Sequence, residues 1–304
     1  MMGAPRRSLL LVVVLLASCA TIPPSVNAPT PQIVPIPVVP MPVHREPKVA
    51  LVLGGGAARG FAHVGVIKVL EAQGINPDIV VGTSAGSMVG ALYAASGNAI
   101  ELQTMALQLQ KEEISDWVLP NRGVLKGEAL QKFVNDAINQ RPLEKLNKIF
   151  AVVATDLHRG EMVVFRSGNT GMAVRASSAV PGVFQPVSIS GHEYVDGGLT
   201  SPVPVRVARS MGADFIIAVD VSSQPQYGKI NSSVDVLLQT FAIMEQGLAR
   251  NELPEADVVV RPHLEFFSRT DFQDRKIAIQ AGEQAAAAAI PEIKAKLTEL
   301  RDKL

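Results

Sequence analysis

The sequence predicts an α/β fold: a mainly parallel central sheet with helices on both faces, three layers in all. Three observations carry this reading. Short runs rich in branched apolar residues alternate with helical patterns along the chain. The first run is apolar almost throughout, as a strand buried on both faces has to be. Three glycine-centred motifs fall where such runs end, which is where ligand sites form in parallel sheets. The first run, Lys48–Leu53 (KVALVL), is bounded by glycines, and similar runs follow at Asp78–Val81, Ile149–Thr155, Phe215–Val221 and Asp257–Val260. Helical periodicity covers Ala62–Gln73, Ser87–Ala95, Glu128–Ile138, Val203–Met211, Val234–Ala249 and Arg275–Leu304. Met162–Phe165 and His192–Val195 read as further short strands whose pairing the pattern leaves open. No internal repeat is visible.

Composition bounds the function. With 304 residues, 47% apolar and 18% charged, the chain can bury a sizeable core. Lys+Arg and Asp+Glu number 28 each, so no excess of positive charge is available to neutralise a phosphate backbone, and nucleic acid is not an expected partner. Cys19 is the single cysteine, which excludes an intramolecular disulfide and a cysteine-based metal site. Chemistry is left to hydroxyls, carboxylates, five histidines and the backbone, and no cofactor or metal requirement is legible.

The first 47 residues read as an address and a tether. Arg6 and Arg7 precede an apolar run, Leu9–Ala17, about half the roughly 20 residues that a spanning helix needs, which suits the core of a secretory signal over residues 1–18. Leu16-Ala17-Ser18-Cys19 resembles the lipobox of bacterial lipoproteins, whose cysteine is acylated and becomes the new N-terminus. The alternative is ordinary cleavage with Cys19 incidental. Ala20 follows where inner-membrane-retained lipoproteins carry aspartate, so the resemblance implies the outer membrane, facing the periplasm. From Thr21 to Pro47, nine of 27 residues are proline, and neither a helix nor an internal strand can run through them. Residues 19–47 are expected to form an extended tether rather than a ligand for a proline-recognising domain, with the folded domain spanning 48–304.

Gly54-Gly55-Gly56-Ala57-Ala58-Arg59-Gly60 follows the first strand. Glycines there let the backbone approach a ligand and aim amides at negative charge. A dinucleotide fingerprint would need glycine where Arg59 stands, and a phosphate loop would need lysine where Phe61 stands; both readings fail on the residue that carries the mechanism. Gly82-Thr83-Ser84-Ala85-Gly86 lies between a strand and a helix of small residues, the setting of a G-x-S-x-G nucleophile elbow. Asp196-Gly197-Gly198 follows an apparent strand and, taken alone, is equally a plain turn.

In this order the three motifs resemble the signature of patatin-like phospholipases: G-G-G-x-x-R-G, then G-x-S-x-G, then D-G-G. Arg175-Ala176-Ser177-Ser178-Ala179-Val180-Pro181-Gly182-Val183-Phe184 is similar to the block preceding the aspartate in bacterial members. The core motifs span residues 49–220 with no departure at the matched positions. The resemblance implies Ser84 as nucleophile and Asp196 as general base in a dyad without histidine, with amides of Gly55 and Gly56 as the oxyanion hole. Gly54, Arg59, Gly60, Gly82, Gly86, Gly197 and Gly198 support the motifs. It implies hydrolysis of acyl esters of phospholipid or lysophospholipid through an acyl-serine intermediate. An aspartate at its reference pKa of about 3.9 is a poor base at neutral pH, so an apolar setting that raises it is expected.

Arg59 reads as a cation holding its loop, or else as a phosphate contact; His63 as a packed helix residue; Asp156 and Asp220 as loop caps at strand ends. His158 and His192 lack metal-ligand spacing, and Trp117 and Leu119 are either buried or part of a lipid-facing loop. Two rival readings stand. One is an α/β-hydrolase with Ser84, Asp196 and His263 in the order Ser…Asp…His. The other is a lipid-binding lipoprotein with an inactive core. The pattern leaves oligomeric state open.

Overall fold

The computed structural model describes residues 45–116, 122–225, 230–264 and 274–304. The signal segment, Cys19, the tether as far as residue 44, and the Trp117 and Leu119 positions lie outside the described residues. In chain order the strands are β1 (Val49–Leu53), β2 (Ile79–Thr83), β3 (Ile149–Asp156), β4 (Met162–Phe165), β5 (Val187–Ile189), β6 (His192–Asp196), β7 (Phe215–Val219) and β8 (Val258–Val260). The helices are α1 (Phe61–Ala72), α2 (Ala85–Ser96), α3 (Ala99–Gln108), α4 (Glu128–Ala137), α5 (Thr170–Ser177), α6 (Val205–Ser210), α7 (Ser233–Glu252) and α8 (Arg275–Arg301).

The strands form one sheet in the order β5-β6-β3-β2-β1-β7-β8, with β4 added to β3. The five apolar runs become the parallel neighbours β3-β2-β1-β7-β8, while β4, β5 and β6 pair antiparallel. Alternation splits each central strand between two cores. Val49, Leu51 and Leu53 pack with α1, α2 and α8, whereas Ala50 and Val52 pack with α6 and the end of α7. The sheet is therefore covered on both faces. Where α1 crosses α8 the backbones touch: a Cβ on Gly65 would lie 1.9 Å from the Ile279 carbonyl oxygen, and one on Gly282 would lie 2.0 Å from that of Ala62.

Several boundaries differ from expectation. α3 and α5 are two helices that the sequence reading did not mark; each starts at an asparagine cap, since Asn98 Oδ1 accepts from the Ile100 and Glu101 amides and Asn169 Oδ1 from that of Met172. α6 starts at Val205 rather than Val203, because Pro204 occupies its N-cap. α8 runs through Pro291 as one helix. Packing also begins before Lys48. Arg45 makes two bonds to Asp214, of 2.6 and 2.9 Å, Arg301 donates to Glu46 at 2.9 Å, and Pro47 is buried, so the last three residues of the expected tether belong to the domain.

Candidate active site

The register of β3 explains how two residues 112 positions apart meet. Val152 and Val153 pair with both β2 and β4, so these strands lie on opposite edges of β3. Ala154 and Thr155 pair with both β4 and β6, which puts β6 on the edge that β2 has just left. β2 ends with Thr83 opposite Val153, and β6, running the other way, ends with Asp196 opposite Ala154. The two strand ends thus face each other along one edge, and each is followed by a motif identified in the sequence.

After Thr83 the chain turns sharply. Ser84 has φ 52° and ψ −125°, a region that L-residues rarely occupy. The turn brings the backbone before and after it together: a Cβ on Gly82 would lie 2.5 Å from the Gly86 carbonyl oxygen, and one on Gly86 would lie 2.0 Å from that of Leu53. Both glycines are therefore sterically required. The strained residue is tied on three sides. Its amide donates to Ser177 Oγ at 2.8 Å, its carbonyl accepts from Ser87 Oγ at 2.6 Å, and its own Oγ donates to Asp196 Oδ2 at 2.7 Å.

Asp196 is fully buried and Ser84 is 7% exposed. The other Asp196 oxygen, Oδ1, accepts from the Gly198 amide at 2.8 Å, and the backbone is held by Ala179 and Thr155. Ser84 and Asp196 touch directly, with no histidine between them. His263 does not join them: it is exposed, three residues beyond β8, and β1 and β7 separate β8 from β2. The Ser84-Asp196-His263 arrangement is not assembled.

The Gly54–Gly60 loop lies beside this pair. His63 is buried, and its Nε2–H donates to the Gly54 carbonyl at 2.8 Å. Burial lowers its pKa to about 4, with the Gly54 bond and the Asp220 charge opposing, so the ring is neutral with its proton on Nε2. Arg59, also buried, donates from Nε to the Val221 carbonyl at 2.9 Å. One expectation needs correction here. The Gly55 amide already donates to the Pro202 carbonyl at 2.9 Å, because the Pro202–Val203 segment ahead of α6 lies against the end of β1; the Gly56 amide donates to no other described residue. Of the two amides expected to form an oxyanion hole, only that of Gly56 is available in this arrangement. Ala57, which follows, is at φ 53° and exposed.

The remaining candidates have local roles. Asp156 Oδ1 caps the turn after β3 through the His158 and Arg159 amides, and those bonds, led by that of Arg159, hold its carboxyl below the usual range. Asp220 caps Ser222 and pairs with Arg261. His192 pairs with Asp156 and His158 with Glu193, each at 3.2 Å. Among the described residues no group of three His, Cys, Asp or Glu side chains is placed to hold a metal ion. Two residues escaped the sequence reading. Ser177, inside the R-A-S-S-A-V-P-G block, is buried and donates to the Val153 carbonyl at 2.5 Å while accepting from Ser84. Glu245 on α7 is a buried carboxylate against Gly198. The block's spacing hinted at the first; nothing in the helical pattern of α7 marked the second.

A narrow cavity of about 40 Å³ starts from Ala57 and Ala85, the residues after Gly56 and Ser84, and runs between α1, α2, α3 and α4 past Met88, Met105, Leu109 and Phe133. Every side chain lining it is apolar.

Comparison with known proteins adds to this geometry. The model of a family described as patatin-like phospholipase matches residues 51–209, just over half of the chain. The chain is 37% identical over 186 residues to the human protein named patatin-like phospholipase domain-containing protein 6, covering 59% of this chain and 14% of that one. It is 37% identical over 180 residues to an uncharacterised NTE family protein of Mycobacterium bovis, covering 58% of this chain and 50% of that one. The match thus spans half or less of these relatives' length. Among solved structures, VipD from Legionella pneumophila aligns at 14% identity and TM-score 0.47, covering 85% of this chain and 67% of that one. ExoU from Pseudomonas aeruginosa, in complex with SpcU, aligns at 14% and 0.48, covering 83% and 53%.

Proposed function

The chain belongs to the patatin-like phospholipase family, and from that premise we propose that it hydrolyses acyl esters of phospholipid or lysophospholipid with Ser84 as nucleophile and Asp196 as its base. The observation that carries this reading is the 2.7 Å bond from Ser84 Oγ to a fully buried Asp196. A serine hydroxyl becomes a competent nucleophile when a positioned base takes its proton. In the proposed cycle Asp196 accepts that proton as Oγ bonds to the ester carbonyl carbon. It returns the proton to the departing alcohol oxygen as the C–O bond breaks, leaving an acyl-serine. Water then attacks the acyl carbon, giving its proton to Asp196, and Ser84 recovers a proton from Asp196 as the fatty acid leaves. The Gly56 amide is the donor available to the carbonyl oxygen; Gly55 contributes if its bond to Pro202 yields.

The apolar cavity leading from Ala57 and Ala85 supports an acyl chain as the group recognised, because every side chain lining it is apolar. Acylation at Cys19 would hold the domain at the membrane that supplies such substrates, in a bacterial cell envelope with the outer membrane as the proposed site. No described helix is long and apolar enough to cross a membrane.

The test is fatty-acid release from phosphatidylcholine and lysophosphatidylcholine in mixed micelles. Ser84→Ala is expected to abolish turnover, Asp196→Asn to lower kcat by about 10²–10⁴-fold, and His263→Ala to leave it unchanged. Full activity of Asp196→Asn would overturn the dyad, and release by Ser84→Ala at the wild-type rate would overturn the whole reading.

A further inference from the structure

We propose that the acyl site continues past the narrow cavity, between Met105 and Phe133, into a groove between α3 and α4, so that the protein acts on long-chain acyl esters. The inference rests on Ser84 being the residue that is acylated. The cavity beside Ser84 holds about 40 Å³, whereas an engineered cavity that binds a single benzene measures about 150 Å³. It therefore has no room for a long alkyl chain in this arrangement. Nor can its inner wall give way, since Val64, Val89, Leu92 and Leu102 are buried in the main core. Met105, Leu109 and Phe133 are placed differently. They also line a second space, a groove of about 580 Å³ on the outer surface, and so stand between the two. Leu109 is fixed: it is buried, its amide donates to the Met105 carbonyl at 2.9 Å, and its carbonyl accepts from Arg275 Nη1. Met105 and Phe133 are half-buried. An unbranched thioether and a phenyl ring can make way by changing rotamer, with no movement of backbone.

The groove has the make-up that an alkyl chain requires. Ala129, Phe133 and Ala137 form one stripe of α4 at four-residue spacing, across from Met105 and Leu109, which are also four apart. The small alanines on either side of Phe133 leave a trough along the helix. Charged groups that line the groove are held by near neighbours: Lys132 pairs with Asp136 at 2.5 Å, and Glu113 accepts from the Gln110 amide at 2.6 Å. A long acyl chain running from Ser84 would bury its first methylenes in the cavity and its later ones along this trough, leaving water at each step. A short chain would end before the partition and gain nothing from the groove.

The experiment measures kcat/KM of the full chain on p-nitrophenyl butyrate and p-nitrophenyl palmitate in mixed micelles, and the palmitate-to-butyrate ratio is the readout. Ala129→Trp and Ala137→Trp fill the trough from the solvent side and leave the lining of the inner cavity as it is. Each is expected to lower the ratio by about tenfold or more, the discrimination that even one methylene in an apolar site supplies. A second reading uses the wild type alone, with a fluorophosphonate whose long alkyl tail ends in a diazirine. Once the probe has reacted with Ser84, its photo-crosslink is expected within Met105–Leu109 or Ala129–Ala137. A ratio unmoved in both tryptophan variants, or a crosslink confined to other segments, overturns the proposal. The two readings fail separately. A wild type that hydrolyses neither ester loses the proposed function and this inference with it, whereas one that hydrolyses both, with the ratio unmoved in the variants, loses only the groove.

Discussion

Ser84 combines a hydroxyl that needs exposing with a backbone that resists it, and replacing the residue separates the two. Both Ser84→Ala and Ser84→Gly remove the bond to Asp196 Oδ2, so that loss cancels when the variants are compared. What differs is the Cβ at φ 52° and ψ −125°. A side chain in such a region costs about 1–3 kcal/mol, and glycine is free of it, though glycine gives back about 0.4–1 kcal/mol through the larger entropy of the unfolded chain. Ser84→Gly is therefore expected to be more stable than Ser84→Ala by about 0.5–2 kcal/mol. For a domain of this size that corresponds to about 1–8 °C in Tm. Urea and thermal unfolding of the two variants read this difference without reference to catalysis. A Ser84→Ala variant as stable as Ser84→Gly would show that the elbow stores no such strain, and the steric reading of Gly82 and Gly86 would lose its companion.

Three further outcomes follow from the same geometry. Ser177→Ala leaves the buried Ser84 amide without its acceptor, so stability should fall by about 1–3 kcal/mol and kcat should fall more than KM changes; unfolding and kinetics check both, and a variant with unaltered kcat would remove Ser177 from the elbow. His63 titrates at about 4 in the folded chain against about 6.5 when unfolded, so the unfolded state binds the extra proton first as pH falls. Its contribution is present above about pH 6.5 and is lost progressively toward pH 4, about 3 kcal/mol in full, and urea midpoints across that range should slope less in His63→Gln than in the wild type. Met88→Trp fills the apolar cavity, so the preference within a series of p-nitrophenyl esters should move to shorter acyl chains; an unchanged series would place the acyl chain elsewhere.

The layers and the pair at the centre were legible because each rests on local chemistry. Runs such as KVALVL, short, rich in branched residues and bounded by glycines, suit strands covered on both faces, and β1, β2 and β7 are buried at every position. Ser84 and Asp196 could be picked out because glycines punctuate sharp turns, and those turns stand at strand ends. Other features depend on partners far along the chain and leave no local mark. That β6 continues along the edge of β3 vacated by β2 is a property of register, so motif order gives a reason to expect Ser84 and Asp196 to meet, while only the paired strands bring them together. The Gly55 amide was expected to be free, yet Pro202, nearly 150 residues away in sequence, takes it. Glu245 is one of several charges on an ordinary amphipathic helix, and its place against Gly198 and Gly55 is a matter of tertiary packing that the helical pattern does not mark. α3 and α5 are short, and besides the few apolar residues they bury, Ala99, Leu102 and Ala106 in the first and Ala173, Val174 and Ala176 in the second, each is started by an asparagine cap.

The central claim is that Ser84 is an activated nucleophile served by Asp196. Covalent labelling by a fluorophosphonate probe, with the modified peptide mapped by mass spectrometry, tests it without a guess at the natural ester. The account predicts labelling confined to Ser84, absent in Ser84→Ala, strongly slowed in Asp196→Asn and unaffected in His263→Ala. Labelling at another serine, or at Ser84 with undiminished rate in Asp196→Asn, would contradict it.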